Sequence, residues 1–487
     1  MIDLLVIGGG INGAGIARDA AGRGLSVTLV EQSDLASATS SWSSKLIHGG
    51  LRYLEQYEFR LVREALQERE VLLRLAPHII RPLLFVLPHD ASMRPAWMIR
   101  IGLYMYDHIG GKITLPRSKG VGFPHLEFSA GLKGDFRSGF VYSDCRVDDA
   151  RLTVINAMSA REKGATVLTR TRFVDARRVD GAWEATIEGA SGKQTLRAKA
   201  MVNAAGPWVM DALDSIQGDN VKGRVRLVKG SHIIVPKVHS QRHAYILQNT
   251  DKRVVFVIPY ENQYSLIGTT DVAVPNVQAA ARISDEETDY LLAAANRFLA
   301  RPLTRADVVS SYAGVRPLYD DGSDNPSEVT RDYVLKLDHE HHKAALVTIF
   351  GGKITTYRRL AEEVMEMLEK FFPGMKGRWT GTETLPGGEV VHFNQFRDEM
   401  MERYSGLGRD LVDGVVRRHG NRATRVLGEA KKLDDLGRYF GAGLTEREVE
   451  YLRAEEWAVT AEDILWRRTK CMLHMTDAEK AAFEAYA

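Results

Sequence analysis

The chain has 487 residues, too many for one ordinary core, so two or three domains are expected. Hydrophobic content of 44%, charged content of 26% and a net charge of +2 fit a folded globular protein and give no sign of a nucleic-acid partner. Two cysteines, Cys145 and Cys471, stand far apart with no C-x-x-C, which argues against a disulfide scaffold, a zinc site or a thiol redox motif.

The N-terminus already reads as a strand, so no signal peptide is expected. No run of about 18 uncharged apolar residues exists to span a bilayer. Leu4 to Ile7 is a short apolar run fit for a buried strand, and Gly8-Gly9-Gly10-Ile11-Asn12-Gly13 follows as a G-x-G-x-x-G turn. Ala14 to Gly24 has helix-forming composition, and Ser26 to Val30 reads as a second buried strand that ends in Glu31. Gly8 permits the tight turn, Gly10 lets backbone approach a pyrophosphate, and Gly13 lets helix and strand pack closely. The helix start offers N–H groups and a positive dipole end, and Glu31 can accept from ribose hydroxyls. Gln32 and Ser33 follow with no Arg for a 2′-phosphate, which disfavours NADP and leaves FAD and NAD.

A Ser/Thr-rich loop comes next and runs into His48-Gly49-Gly50, a further close-approach site, with Leu46 between. Thr39, Ser40, Ser43, Ser44 and Lys45 are candidate partners for the many acceptors of a flavin cofactor, which an NAD domain does not need. Phe59 to Leu75 is helical, with Glu and Arg read as a solvated face.

The segments Gly8 to Glu31 and Ser43 to Leu54 resemble the FAD-dependent glycerol-3-phosphate dehydrogenase family of bacteria, within the D-amino-acid-oxidase-like flavoproteins. The likeness is expected to span nearly the whole chain. It implies an α/β (α+β overall) fold: a Rossmann-like FAD-binding domain, an antiparallel-sheet substrate domain and a helical C-terminal cap. It also implies a respiratory enzyme that passes electrons to a membrane quinone, ubiquinone foremost, from the cytoplasmic face of the inner membrane. A homodimer is implied as well.

Residues 93–106 are apolar, with Arg94 and Arg100 embedded and with Trp97, Tyr104 and Tyr106, residue types that favour a membrane–water boundary. A buried core helix has the same pattern; the resemblance points to a lipid-surface element of peripheral or monotopic kind. Ala165 to Leu168 is a strand, and the backbone at Val174 is placed to meet the adenine in this fold class. Trp183 to Ile187 and Gln194 to Ala198 read as antiparallel strands around a turn at 189–192. The strand ending in Ala204-Ala205-Gly206 is a second glycine-mediated approach to a dinucleotide. Residues 225–275 are strand-rich without helices, which indicates a largely antiparallel substrate domain. Gly351-Gly352-Lys353-Ile354 follows a strand and opens a helix, with backbone N–H groups able to face the flavin. These approaches together choose FAD over NAD.

The expected organisation is an FAD-dependent region over 1–380. Its FAD-binding parts are about 1–75, 140–222 and 310–375, and its substrate parts about 76–139 and 223–309. A helical C-terminal domain over 381–487 includes helical stretches at 430–438 and 445–457, its charges read as solvated surface. The resemblance implies oxidation of sn-glycerol 3-phosphate to dihydroxyacetone phosphate. Arg52, Arg316 and Lys353 are then the cations for the phosphate, Tyr53 a hydroxyl donor, His232 the proton acceptor, and Thr270 a further lining residue. An amine or amino-acid oxidase of the same fold is the alternative. It needs a carboxylate site, typically one Arg with a Tyr, and has no evident use for three cations.

Overall fold

The computed structural model describes residues 1–90, 93–123, 126–249, 251, 253–280, 282–320, 332–341 and 343–487. Strand β1 (Ile2–Ile7), helix α1 (Ile11–Gly22) and strand β2 (Val27–Val30) form the expected unit. β1 pairs in parallel with β2 and with the Gly192–Asn203 strand, whose last residues also pair in parallel with Lys343–Phe350. Thr166–Leu168 adds to β2, so five parallel strands lie at the centre of a nine-stranded sheet. Alternate residues of β1 serve opposite faces, as the two-residue repeat of a strand dictates. Leu4 and Val6 pack with α1 and the Tyr357–Leu368 helix, while Leu5 and Ile7 pack with Trp183 and Met201. Burial on both faces explains why Leu4 to Ile7 is continuously apolar rather than alternating.

The second sheet has ten strands and is mainly antiparallel. Its Val225–Pro236 strand lies between Ser310–Tyr319 and Tyr264–Gly268, a register that sets His232 beside Tyr312 and Gly268, and Val228 beside Arg316. Within the strand-rich stretch expected at 225–275, residues 225–236 form one continuous strand. The C-terminal unit has its own core around Val412, Val416, Leu427 and Leu452.

Three readings of the sequence require correction. Residues 430–438 carry only a short 3₁₀ turn, Leu433–Leu436, before the strand Tyr439–Gly441. Phe59–Leu75 is a helix, but Glu68 and Arg69 are buried in ion pairs with Arg358 and Asp144 rather than solvated. In the C-terminal unit Glu448, Glu456, Arg467 and Arg468 are likewise buried and paired. A charge on a helix reads as surface until a distant partner of opposite sign is brought against it.

No helix among the described residues is long and apolar enough to cross a membrane. The Ala96–Ile109 helix buries Leu103 and Tyr106 but exposes Trp97 (63%), Ile101 (53%) and Tyr104 (65%), so it is not a core helix.

His78, His239 and His243 are buried, and burial holds His78 and His243 down to about 3 and His239 to about 4. Between those values and an ordinary imidazole near 6.5, the unfolded chain binds protons that the folded chain refuses, so stability falls with pH in that window. The thermal midpoint should drop between about pH 6.5 and about pH 5. Half-buried carboxyls such as Glu261, pushed upward by desolvation, act in the opposite sense, so the histidine share is read by comparison. His78→Leu, which removes one imidazole with no hydrogen-bond partner on either nitrogen among the described residues, should flatten the drop.

Candidate functional site

One cavity of about 1040 Å³ runs between the two sheets, and the glycine turn forms its floor. Gly8 holds φ +107°, and a Cβ there would lie 2.5 Å from the Ala204 carbonyl oxygen. The first and second glycine approaches therefore touch. A Cβ on Gly13 would fall on the Gly8 carbonyl oxygen, so only glycine lets α1 sit this close to β1. Gly13→Ala should cost about 1–3 kcal/mol by overpacking and release flavin, read by thermal denaturation and by visible absorbance.

Gly8, Gly10 and Asn12 line this floor, while Gly13 lies behind it. The Ile11 N–H donates to Ser40 Oγ at 2.9 Å, and Thr39 Oγ1 donates to the Val315 carbonyl at 2.6 Å. These hydroxyls tie the loop to α1 and to the second sheet while also lining the cavity. Glu31, at the end of β2, accepts from the Gly9 N–H at 2.6 Å and the Ser33 N–H at 2.8 Å. Burial pushes its carboxyl up, against those two donors. Val174, Ala205 and Gly206 line the same end.

At the other end stand Ser44, Leu46, His48 and Tyr53, with His232 and Arg316 from the second sheet and Gly352, Lys353 and Ile354 from the third glycine segment. That segment is a turn, and its helix begins only at Tyr357. His232 is buried, its ring stacked on Tyr312 with centroids 4.8 Å apart, and its Nε2 lies 2.9 Å from Ser44 Oγ. Burial, then the positive charges of Lys45 and Arg316, hold its imidazole down to about 3, so the ring is neutral at ordinary pH. Arg316 is held through Nη2 by the Thr270 carbonyl at 3.1 Å and by Asp271 Oδ1 at 2.5 Å. Lys353 Nζ sits 4.2 Å from the centre of the Tyr53 ring and is buried with no hydrogen-bond partner among the described residues. A buried ammonium in that state has its donors ready for an anion.

Several predicted residues do not reach the cavity wall. Lys45 turns away, and its Nζ pairs with Asp149 Oδ1 at 2.9 Å. Thr270 is buried and donates to Glu287 Oε1 at 2.7 Å, while its neighbour Thr269 lines the cavity. Gly49 receives Tyr106, its N–H donating to that hydroxyl at 2.8 Å, whereas His48 faces the cavity. Gly50 packs against the Tyr53 ring, and Arg52 is half-buried outside the wall. For Lys45, Gly49, Arg52 and Thr270 an adjacent residue takes the inward place: Ser44, His48, Tyr53 and Thr269.

Other lining residues carried no signal. Phe256 is an ordinary apolar strand residue, and Trp42 lay in a loop read for its hydroxyls. Thr460, Asp463 and Arg467 come from the C-terminal unit. The only hint there is a T-x-x-D cap, in which the Thr460 N–H donates to Asp463 Oδ2 at 2.9 Å.

The cavity fits FAD. It offers a glycine floor for a pyrophosphate, a carboxylate for a ribose, and buried donors and acceptors with no partner among the described residues at Lys353 Nζ and Asn12 Oδ1. Residues 3–358 match the family of FAD dependent oxidoreductases, and residues 379–487 match the C-terminal domain of alpha-glycerophosphate oxidase. The chain is 53% identical to D-erythritol 1-phosphate dehydrogenase of Brucella abortus, over 99% of its length and 96% of the relative's. It is 53% identical to glycerol-3-phosphate dehydrogenase of Pseudomonas aeruginosa, over 99% and 94%. The crystal structure of glycerol-3-phosphate dehydrogenase from Bacillus halodurans complexed with FAD is similar across 100% of this chain and 93% of that one, with a TM-score of 0.78 at 28% identity. The chain therefore belongs to the FAD-dependent oxidoreductases, takes FAD as its cofactor, and falls in the branch that holds the bacterial glycerol-3-phosphate dehydrogenases.

Proposed function

We propose that the protein oxidises sn-glycerol 3-phosphate at C2 to dihydroxyacetone phosphate and passes the electrons to a membrane quinone. The observation that carries this reading is the pairing, on one cavity, of a buried neutral imidazole at His232 with a buried Lys353 ammonium that has no hydrogen-bond partner among the described residues. Bound FAD supplies the acceptor for the hydride that leaves C2. His232 takes the hydroxyl proton at Nε2, the nitrogen that Ser44 Oγ already orients. Lys353 and Arg316 hold the phosphate, Arg316 on a mount fixed by Asp271 and Thr270. A phosphate dianion held by Arg316 offsets part of the positive charge that lowers His232, while the larger effect, burial, remains.

A second substrate has specific support: D-erythritol 1-phosphate dehydrogenase of Brucella abortus is as similar as the Pseudomonas enzyme. The chemistry would be the same on a polyol one carbon longer. Steady-state turnover with a short-chain quinone separates the two. The reading expects dihydroxyacetone phosphate as product and a higher kcat/KM for glycerol 3-phosphate than for erythritol 1-phosphate. A reversed preference would move the substrate to the longer polyol. Turnover of glycine or proline with neither phosphate accepted would overturn both in favour of an amino-acid oxidase.

Trp97, Ile101 and Tyr104 project from the Ala96–Ile109 helix, and Arg94 and Arg100 lie within reach of anionic headgroups. This face supports docking on a lipid surface, where quinone is found. Replacing all three with Ser should shift the protein from the membrane pellet to the supernatant, with turnover of a water-soluble acceptor preserved. Unchanged pelleting would remove this helix from the contact.

A further inference from the structure

The end of the cavity nearest Glu31 is closed by the C-terminal unit. Thr460, Glu462, Asp463 and Arg467 line it, all on or just before the π-helical turn Asp463–Arg468. Such turns are rare and often mark a functional position. Two sets of ion pairs pin this one to the FAD-binding sheet. Asp34 is buried three residues after Glu31. It accepts from Arg467 Nε at 2.7 Å and from both terminal nitrogens of Arg468 at 2.8 Å. Asp463 pairs with Arg467 and accepts from Arg170 Nη2 at 2.5 Å.

Arg170 belongs to the sheet side of the same wall. Its backbone N–H donates to the Ser33 carbonyl at 2.8 Å, and the Thr171 N–H donates to the Glu31 carbonyl at 2.8 Å. Arg170 Nη1 is buried and has no hydrogen-bond partner among the described residues. A buried donor left unpaired beside the ribose-binding acid calls for a partner that the protein itself does not supply.

We propose that the π-turn is part of the cofactor site: Asp463 aims Arg170 Nη1 at the adenosine half of FAD, and the Asp34–Arg467–Arg468 pairs hold the turn closed over it. This rests on FAD as cofactor and is independent of the substrate. Flavin binding and closure of this turn then strengthen each other, because each is more favourable when the other is in place.

The test is FAD dissociation from the holoenzyme on dilution, read by free-flavin fluorescence. The flavin content of the wild type is measured first, as the separate check of the cofactor. Arg170→Gln and Arg467→Ala should raise the FAD Kd about tenfold or more. With FAD saturating, the substrate KM should stay at the wild-type value. Arg422→Ala is the control. It breaks the Arg422–Glu162 pair, which joins the same two units away from the cavity with an Nη2–Oε2 distance of 2.9 Å. It should leave the FAD Kd within about twofold of wild type. FAD affinity unchanged in Arg170→Gln overturns the proposal. So does an equal loss in Arg422→Ala, which would make the turn a docking contact only. Arg170 is partly exposed, so its variant decides the matter even where Arg467→Ala does not fold.

Discussion

His232→Asn should lower kcat/KM for glycerol 3-phosphate by about 10²–10⁴-fold, the usual contribution of a positioned general base. Flavin content should stay at the wild-type level. The ring stands on the second sheet, stacked on Tyr312 and bonded to Ser44, so its loss does not touch the glycine floor that carries the cofactor. A loss confined to KM, with kcat intact, would assign His232 to substrate binding instead. Ser44→Ala should give a smaller loss in the same direction, since it removes only the partner that orients Nε2.

Lys353→Met should lower kcat/KM by about 10- to 100-fold, the range of a charge-assisted hydrogen bond to a substrate anion. Met keeps the length and packs against the Tyr53 ring, so cavity shape is little altered. The comparison with Arg316 is informative. Arg316 already spends Nη2 on Asp271 and the Thr270 carbonyl, whereas Lys353 Nζ has no hydrogen-bond partner among the described residues. The unpaired cation should therefore show the larger effect, and Arg316→Lys should cost less than Lys353→Met. Equal kinetics in Lys353→Met and wild type would remove the ammonium from the site.

The features legible in the sequence are those set by local spacing. A glycine pattern between two apolar strands, with an acid at the tip of the second, requires only neighbours within about 30 residues to make sense. The Ser43–Tyr53 and Gly351–Ile354 segments were readable for the same reason. What escaped depended on phase or on distance. Lys45 and Thr270 lie one residue out of phase with Ser44 and Thr269, and a motif does not say which of two adjacent side chains faces inward. Asp34 meets Arg467 across 433 residues, and Glu68 meets Arg358 across 290, so Arg467 and Glu68 read as solvated in the sequence and are paired only by the fold. The helix expected at 430–438 failed for a local reason: Gly437 holds φ +73° and ends a short 3₁₀ turn.

The proposed reaction places FAD and the phosphorylated polyol that reduces it in this one cavity. The most direct measurement is the visible flavin spectrum of the purified protein, mixed anaerobically with sn-glycerol 3-phosphate in a single turnover. Loss of the oxidised flavin bands with stoichiometric dihydroxyacetone phosphate is expected, much slowed in His232→Asn. A spectrum left unchanged by glycerol 3-phosphate and bleached by an amino acid would contradict it.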